Sequence, residues 1–381
     1  MKSKSSTVSF LYSDSESSAD MLYLSGVFVP DAFLAIIAQN KKYAVVNQLE
    51  YGRMLKNSNF DQVILLEAIR PVAAQSLNMP LRNVGPGELM IYFARHFAVK
   101  NIKIPAYFPA VYYAKIHGAG FSIEIIEGAF FSGRSIKTDT EIAAIRKGNA
   151  VSAAGIRAAE ATLRAATIKS DRIMYGGKPL TSERLRAIID KTCLSKGAIA
   201  RHTIVAGGRQ ACDPHEIGHG LLRPGELIII DVFPRVQKTG YHGDLSRTFI
   251  KGKASALQRT LVLAVQRAQR AAIEEVQEGV KGDVVHGAAQ KVFDEAGFVT
   301  ENRNNGSAGF IHSTGHGLGL EVHEAPRVSK GAPKLTTNQV ITIEPGLYYP
   351  EIGACRIEDV VQVTKNGCKK LSSLHYKWEI S

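Results

Sequence analysis

The chain has 381 residues, 45% of them hydrophobic, and a formal net charge of +12. This length suffices for two domains with sizeable cores, at roughly 100–200 residues per domain. Its basic residues are scattered, without a long basic run or interleaved aromatic residues, so we expect no nucleic-acid partner. No apolar run approaches the roughly 18–20 residues of a membrane span, and the N-terminal stretch MKSKSSTVSFLYSDSESSAD lacks the apolar core of a secretory signal. We therefore expect no membrane association.

The four cysteines, Cys193, Cys212, Cys355 and Cys368, lie far apart in the sequence. They show neither a C-x-x-C pair nor the spacing of a disulfide framework. This usage is typical of proteins from a reducing compartment. We expect a cytoplasmic location.

Residues 1–135 alternate short apolar runs with helical patterns, as in MLYLSGV, AFLAIIAQ, YAVVNQ, QVILLEA, ELMIYFARHFA and FSIEIIEG. This alternation predicts an α/β domain with a partly parallel sheet. The polar, glycine-containing stretch SGRSIKTD separates it from a segment rich in alanine and arginine. We place the domain boundary between residues 135 and 136.

Residues 136–381 combine long helical patterns with strand-like runs. A first helix, TDTEIAAIRKGNAVSAAGIRAAEATLRAAT, opens with a capping box from Thr138 to Glu141. Two further helices are predicted in SALQRTLVLAVQRAQRAAIEEVQEG and DVVHGAAQKVFDEAG, and strands in ELIIIDVF, QVITIEPGLYY and CRIEDVVQVT. Two long helices, each followed by acid-bearing strands, hint at an internal duplication of an α+β unit.

Four carboxylates accompany these apolar strands: Asp231, Asp244, Glu344 and Glu358. We expect Asp244 to share a strand face with Ser246 and Glu358 to share one with Arg356. Any one of them could be a strand-end acid that turns toward solvent. Burying all four would cost several kcal/mol each unless cations offset the charge, and divalent metals are the usual solution. The set therefore favours a metal site.

Three histidines, His312, His316 and His323, lie in the glycine-rich stretch IHSTGHGLGLEVHEAP. Backbone freedom there lets imidazoles converge on a site. One imidazole with four carboxylates suits Mn²⁺, Co²⁺ or Fe²⁺ at least as well as Zn²⁺. Bridging carboxylates let two ions share the set, and such a pair acidifies a bridging water that attacks a polarised carbonyl. The pattern predicts metal-assisted amide hydrolysis.

The ordered residues Asp231, Asp244, His316, Glu344 and Glu358 resemble the ligand pattern of the pita-bread metallopeptidases, which include methionyl aminopeptidase, aminopeptidase P and prolidase. The motifs are IIIDVFP, GYHGDLSRTF, HSTGHGLGLEVHEAP, IEPGLYY and RIEDVVQVT. ADMLYLSGVFVPDAFLAII followed by LEYGR is similar to the N-terminal domain of the proline-specific branch, which methionyl aminopeptidases lack. The resemblance implies an α+β protein: a C-terminal pita-bread (creatinase/aminopeptidase) catalytic domain with an N-terminal α/β creatinase-like domain.

The resemblance also implies two divalent metal ions per chain, with Mn²⁺ or Co²⁺ favoured and Zn²⁺ or Fe²⁺ as alternatives. Asp231 would bind one ion, and Asp244 and Glu358 would bridge both. His316 and Glu344 would complete the shell of the other ion. The implied assembly is a homodimer.

The activity implied by the resemblance is that of an Xaa-Pro aminopeptidase or dipeptidase, in which a metal-bridging hydroxide cleaves a peptide with proline at the second position. Glu344 would also carry the proton to the leaving nitrogen. His323 would hydrogen-bond the substrate carbonyl or the tetrahedral intermediate, and His312 would line the same pocket. Arg356 would orient the carboxylates from behind.

The stretch DPHEIGHGLLRPGE, Asp213 to Glu226, offers a competing interpretation, because His215, Glu216 and His219 spell the H-E-x-x-H motif of helical zinc proteases. Gly218 and Gly220 would each cost a helix about 1 kcal/mol, so we predict a loop. The resemblance gives this loop a substrate-contacting histidine. We favour His215 over His219 for that position.

Two other interpretations remain open. The chain could be a non-peptidase of the same fold, such as a creatinase-like amidinohydrolase. It could also be a metal-free protein that uses the fold to bind peptides. Proteins of that kind typically lack part of the five-residue ligand set, whereas all five positions are filled here.

Overall fold

The computed structural model describes residues 7–304 and 306–381. The chain divides into two compact units, Met1–Arg134 and Ser135–Ser381. The stretch expected not to form a secretory signal begins in residues 1–6, which lie outside the described residues. Within the described ranges, every helix is too short or too polar to cross a membrane.

The first unit is built around a mixed sheet flanked by helices. Its strands are β1 (Thr7–Ser13), β2 (Phe33–Ala38), β3 (Lys41–Val46), β4 (Gln62–Leu65), β5 (Asn101–Pro105) and β6 (Ser122–Ile126). Its helices are α1 (Ala19–Ser25), α2 (Gln48–Asn57), α3 (Leu66–Leu77), α4 (Pro86–His96) and α5 (Ala110–Gly118). The strand order is β4-β3-β2-β1-β5-β6. Since β1 pairs antiparallel with β2 and parallel with β5, the partly parallel sheet predicted from the sequence is confirmed.

The second unit combines helix pairs with several small sheets. Its helices are α6 (Asp139–Ala165), α7 (Ser182–Ser195), α8 (Ala256–Glu274) and α9 (Gly282–Glu295). Its strands are β7 (Thr167–Lys169), β8 (Arg172–Tyr175), β9 (Lys178–Pro179), β10 (Ala198–Ile199), β11 (Ile204–Gly207), β12 (Leu227–Asp231), β13 (Arg235–Val236), β14 (Ser246–Lys251), β15 (Glu301–Arg303), β16 (Gly306–Ala308), β17 (Gly315–Gly317), β18 (Glu324–Val328), β19 (Val340–Ile343), β20 (Gly346–Tyr349), β21 (Gly353–Arg356), β22 (Asp359–Thr364), β23 (Gly367–Lys370) and β24 (Glu379–Ile380).

Each of the two larger sheets of this unit carries one helix pair. Helices α6 and α7 share a core with the sheet β11-β12-β14-β24, through residues such as Ile156, Ile189 and Ile230. Helices α8 and α9 share a second core with the sheet β18-β17-β19-β22-β23, through residues such as Val265 and Ile341. These apolar faces drive the packing because helices and sheets each bury one side. The predicted α+β class is confirmed.

Helix α6 begins and packs as its sequence requires. Thr138 accepts a hydrogen bond from the backbone of Glu141, whose side chain accepts one from the backbone of Thr138, so the predicted capping box is present. Further along, Gly148 lies against Gly243 so closely that a Cβ on Gly243 would approach the carbonyl carbon of Gly148 to 2.1 Å. Only glycine permits this approach. It brings the helix onto the residue that precedes Asp244.

Candidate metal centre and active site

The predicted ligands lie mainly at strand ends. Asp231 is the last residue of β12, whereas Glu344 immediately follows β19. Asp244 lies two residues before β14, and Glu358 lies between β21 and β22. The expectation that Asp244 and Glu358 lie within strands was therefore wrong. The close approach of Gly243 to helix α6 displaces the chain at Asp244, and the chain leaves one sheet for another at Glu358.

Strand pairing brings these positions together. β12 pairs antiparallel with β14, with Asp231 opposite Ser246, and β19 pairs antiparallel with β22, with Ile343 opposite Asp359. The two sheets meet where the backbone N–H of Glu358 donates to Ser246 O at 3.1 Å. Carboxylates from both sheets thus converge on one point.

The converging side chains form a buried cluster. Asp244, His316 and Glu358 each offer a ligand atom within 4.8 Å of the other two. His316 Nε2 lies 3.1 Å from Glu344 Oε1 and 3.9 Å from Asp244 Oδ2. Asp231 joins from β12 and is 8% exposed. The structure therefore brings together all five residues of the predicted ligand set.

The negative charges of the buried carboxylates in this cluster are not fully balanced by positive charges nearby. Burial, and then the charges of neighbouring carboxylates, raise the pKa of Asp244 and of Glu358 well above their ordinary values. Burial also raises the pKa of Asp231, although Arg356 opposes this effect. Asp231 Oδ1 is buried without a hydrogen-bond partner among residues 7–304 and 306–381. Such a donor set fits divalent cations, which would take up the free oxygens.

Glu344 and His316 form an ion pair within the cluster. Burial opposes ionisation of Glu344, but its hydrogen bond to His316 and the positive charge there lower its pKa to about 2. Burial likewise opposes protonation of His316, and Glu344 and Asp244 together raise the pKa of this histidine to about 9. A proton on His316 thus balances negative charge that a cation would otherwise balance.

Behind the carboxylates, Arg356 anchors a chain of hydrogen bonds. Its Nη2 donates to Asp231 Oδ2 at 2.8 Å, and its Nη1 donates to the Tyr348 hydroxyl at 2.9 Å. Burial raises the pKa of Tyr348 to about 12, so the hydroxyl keeps its proton and donates a hydrogen bond to His312 Nε2 at 2.8 Å. His312 Nδ1 in turn donates to the carbonyl of Ser313 at 2.7 Å. Both ring nitrogens of His312 are therefore engaged within the protein.

The cluster lies in a cavity of about 860 Å³. His215, His312 and His323 line it together with Arg327. The His323 ring packs edge-on against the His316 ring, with 4.4 Å between the ring centres. Burial, together with the positive charge of His316, lowers the pKa of His323 to about 4. His323 is therefore neutral near pH 7 and can donate one hydrogen bond into the cavity.

Residues 213–226, all of them described, form turns and extended segments rather than a helix. Gly218 and Gly220 have φ angles of +81° and +72°, which a right-handed helix excludes. His215 faces the cavity, whereas the His219 side chain is 71% exposed and does not appear among the described lining residues. The loop predicted from the glycines is confirmed, and the zinc-protease interpretation of His215, Glu216 and His219 is wrong.

Sequence reasoning missed several polar residues of this site. Tyr348, Arg327, Asn149 and Arg247 all contact the cluster, its backbone or its cavity. Tyr348 lies within the motif IEPGLYY, and Arg327 directly follows the motif HSTGHGLGLEVHEAP, so proximity in sequence was an available signal. Asn149 lies in the middle of a helix, where nothing in the local pattern distinguishes it from a surface residue.

Comparison with known proteins supplies independent findings. Residues 143–365 match the model of metallopeptidase family M24. The chain is 36% identical over 172 residues to an Xaa-Pro dipeptidase of Pyrococcus furiosus, a match that covers 45% of this chain and 47% of that protein. It is 33% identical over 246 residues to a probable dipeptidase, PepE, of Mycobacterium bovis, covering 63% and 59%. The chain spans about half the length of the curated relatives it matches.

Solved structures resemble the chain over nearly its whole length. The prolidase of Pyrococcus horikoshii matches with a TM-score of 0.77 and 25% identity, covering 97% of this chain and 95% of that one. An X-Pro aminopeptidase of Thermotoga maritima matches with a TM-score of 0.79 and 22% identity, covering 98% and 97%. These likenesses confirm the predicted pita-bread fold with its N-terminal α/β unit.

Proposed function

Because the chain belongs to metallopeptidase family M24, we propose that it is a metal-dependent hydrolase that cleaves the peptide bond between an N-terminal residue and proline. The observation that carries the proposal is the convergence of four carboxylates and one imidazole at the cavity. The relatives named Xaa-Pro dipeptidase support the choice of bond. We further propose that the catalytic domain comprises residues 136–381 and that residues 1–135 form the N-terminal domain.

The donor set would hold two divalent cations, Mn²⁺ or Co²⁺ in preference to Zn²⁺ or Fe²⁺, because oxygen donors outnumber nitrogen. Asp231 would bind one cation, Asp244 and Glu358 would bridge the two, and His316 with Glu344 would bind the second. When bound, the cations acidify a water molecule and polarise the scissile carbonyl. The unpartnered Oδ1 of Asp231 and the raised pKa values of Asp244 and Glu358 support this assignment.

Glu344 would move the proton. Its carboxylate is ionised and lines the cavity, so it is available to accept the proton of the attacking water. The C–N bond then breaks as the same proton passes to the departing prolyl nitrogen. Thr342, whose hydroxyl lies 3.3 Å from Glu344 Oε1, keeps the carboxylate oriented.

The histidines of the cavity would stabilise charge rather than exchange protons with the attacking water. His323, held neutral, would donate to the oxygen of the tetrahedral intermediate, and His215 would donate from the opposite loop. His312 would position the cavity wall, because its ring nitrogens bond Tyr348 and Ser313. Arg356 would fix Asp231 from behind the site.

Arg327 and Arg356 both line the cavity. The guanidinium of Arg356 is already engaged by its bonds to Tyr348 and Asp231, so Arg327 is the better candidate to bind an anionic group of the substrate. A dipeptide with proline at its second position ends in a free carboxylate directly beyond the scissile bond. A guanidinium binds such a carboxylate through two parallel hydrogen bonds. We therefore favour dipeptides over longer Xaa-Pro peptides as substrates.

Partner and location are part of the same proposal. We propose a homodimer in a reducing, cytoplasmic environment, without nucleic-acid or membrane partners. The four cysteines are all free thiols, which supports the reducing compartment. Sedimentation of the purified protein tests the dimer, with a monomeric mass contradicting it.

The test of function is an assay of Mn²⁺- or Co²⁺-loaded protein on Xaa-Pro dipeptides and longer Xaa-Pro peptides. We expect cleavage and two bound ions per chain by metal analysis. Asp244→Ala should abolish activity while the circular dichroism spectrum stays unchanged. Two bound ions without cleavage of either peptide class would favour a creatinase-like amidinohydrolase, and a protein that binds peptide but no metal would be a binding protein.

A further inference from the structure

Residues 371–376, which follow strand β23 and which we call the C-terminal strap, contact buried side chains behind the metal ligands. The strap offers backbone carbonyls as acceptors. Leu371 O accepts from Asn149 Nδ2 at 3.3 Å, and Leu374 O and His375 O accept from Arg247 Nη2 and Nε at 3.0 Å each. Two side chains from distant elements thus hold one short segment.

Asn149 joins the strap to Asp244. Its side-chain oxygen accepts from the backbone N–H of Asp244 at 2.9 Å, while its amide nitrogen donates to Leu371 O. The residue is fully buried in helix α6. Since a buried amide left without partners is costly, both bonds constrain the same rotamer. The position of the Asp244 backbone therefore depends on the strap.

Arg247 joins the strap to Glu358. Its Nη1 donates to the carbonyls of Glu358 and Ser246 at 2.6 and 2.9 Å, and its Nη2 also pairs with Asp359 at 3.0 Å. The guanidinium stacks on the strap residue Tyr376, 4.7 Å from the ring centre. One planar cation thus spans from the backbone of Glu358 to the strap.

Asp359 closes this arrangement. Its Oδ1 accepts from the hydroxyl of Ser372 at 2.7 Å, and its Oδ2 accepts from the Tyr376 hydroxyl at 2.5 Å. Burial disfavours the anion, yet Arg247 and Lys370 together lower the pKa of Asp359 below its ordinary value. The strap is therefore bound to an ionised, fully buried carboxylate directly after Glu358 in the sequence.

We propose that the C-terminal strap is a positioning element that sets the spacing between the backbones of Asp244 and Glu358, the two carboxylates assigned to bridge the cations. The inference rests on the proposed function for that assignment. Metal affinity then depends on Asn149 and Arg247, although neither touches a cation. Conversely, cation binding restrains residues 371–376.

The matched variants are Asn149→Leu and Arg157→Met, both on helix α6. Asn149→Leu keeps the branched shape of the side chain, which becomes somewhat larger, and removes both bonds of the link. Arg157→Met removes a bond of 2.7 Å to the strap carbonyl of Ser373 from an exposed side chain that does not reach a ligand. We expect calorimetric titration with Mn²⁺ to give roughly 10- to 100-fold weaker binding for Asn149→Leu and unchanged binding for Arg157→Met. Saturating Mn²⁺ should restore kcat of Asn149→Leu.

These outcomes distinguish a failure of the proposed function from a failure of the strap inference. If the unmodified protein binds no Mn²⁺, the proposed function fails. If the unmodified protein and Asn149→Leu bind Mn²⁺ equally, the strap inference is wrong while the metal centre stands. If Arg157→Met loses as much affinity as Asn149→Leu, the specific link through Asn149 is wrong, because any contact of helix α6 with the strap would then have the same effect.

A second measurement needs no variant, and it decides the matter if Asn149→Leu does not fold. Hydrogen exchange of the unmodified protein is followed with and without Mn²⁺. We expect slower exchange in residues 371–376 with Mn²⁺ and no change in helix α2 of the first unit. Equal exchange of the strap in both conditions would overturn the inference.

Discussion

The guanidinium of Arg356 lies 2.8 Å from one carboxylate oxygen of Asp231, whereas the other oxygen is buried and meets no donor within the described ranges. The paired oxygen fixes the orientation of the carboxylate, so that the second oxygen is directed toward the cluster. Arg356 uses its remaining nitrogens to bond Ser246, Tyr348 and the carbonyl of Pro214. One arginine thereby connects the ligand strand, the cavity wall and the loop of His215.

Arg356→Lys keeps the charge but loses the fork that reaches these partners at once. We expect Mn²⁺ binding to weaken roughly 10- to 100-fold, because Asp231 loses its fixed orientation. Titration calorimetry measures this. Arg303→Lys is the control, since Arg303 pairs with the exposed acids Glu301 and Glu351 and lies 5.9 Å from the centre of the Tyr349 ring. Equal affinities of the protein and its Arg356→Lys variant would refute this role of Arg356.

Metal binding should release protons. The pKa values of Asp244 and Glu358 are raised well above the ordinary range, so a cation must displace protons that these carboxyls still hold in mildly acidic solution. Affinity for Mn²⁺ should therefore rise with pH, by roughly tenfold per pH unit for each proton released. Calorimetry in two buffers of different ionisation enthalpy counts these protons. Identical heats in both buffers would contradict the expectation.

The same shifts set the stability of the metal-free protein. Because the folded state holds these protons to higher pH than the unfolded state does, the free energy of unfolding falls as pH rises from the ordinary carboxyl pKa toward the raised values. We expect the melting temperature of the chelator-treated protein, measured relative to that of its Asp244→Asn variant, to be lower at pH 7 than at pH 5. A difference that does not change with pH would show that charge on Asp244 does not destabilise the metal-free protein.

The two histidines of the PHEIGHG loop make a matched pair. His215 lines the cavity, and His219 is exposed, with its ring 3.7 Å from Glu216. We expect His215→Asn to lower kcat/KM by roughly 10²–10³ through loss of a donor to the developing oxyanion, with metal content unchanged. His219→Asn should leave kcat/KM close to that of the unmodified protein. The opposite ranking would assign the substrate contact to His219, and loss of metal in His215→Asn would make His215 a ligand.

Arg327→Met tests the choice between dipeptide and longer peptide. A tripeptide carries its terminal carboxylate one residue further from the scissile bond, so it should not use the same guanidinium. We expect the KM for an Xaa-Pro dipeptide to rise roughly tenfold, about 1.4 kcal/mol, while the KM for an Xaa-Pro tripeptide stays constant. Lys330→Met serves as the control on a neighbouring exposed cation. An equal increase in KM for both peptides would show that Arg327 does not bind the terminal carboxylate of the dipeptide.

The ligand cluster could be predicted because buried acids on apolar runs conflict with ordinary burial energetics. Asp231 and Glu344 end runs of hydrophobic residues, where a charge is conspicuous. Their pairing across two sheets could not be predicted in the same way. Asp244 and Glu358 lie outside regular strands, at positions set by the contact of Gly148 with Gly243 and by the crossing from β21 to β22. The rule that successive side chains alternate between faces holds only within a regular strand, and these two residues lie beyond the strand ends.

The polar links behind the cluster were invisible for another reason. Asn149 bonds a residue 222 positions away, and Arg247 bonds one 111 positions away. An asparagine or arginine within a helix or strand gives no local sign of such a partner, because the bond depends on tertiary packing. By contrast, the absence of a helix around His215 followed from local chemistry. Gly218 and Gly220 adopt positive φ angles that glycine tolerates at little cost.

At Gly148 and Gly243, the backbone of helix α6 lies directly against the backbone of the segment that leads to Asp244. Even one methyl group there would push the helix away from Asp244 and carry the Asn149 amide with it. An alanine at either glycine changes no charge and removes no donor. Such a variant should nevertheless lose metal affinity as a ligand variant does, so a survey that considers only the ligands would misclassify it as neutral.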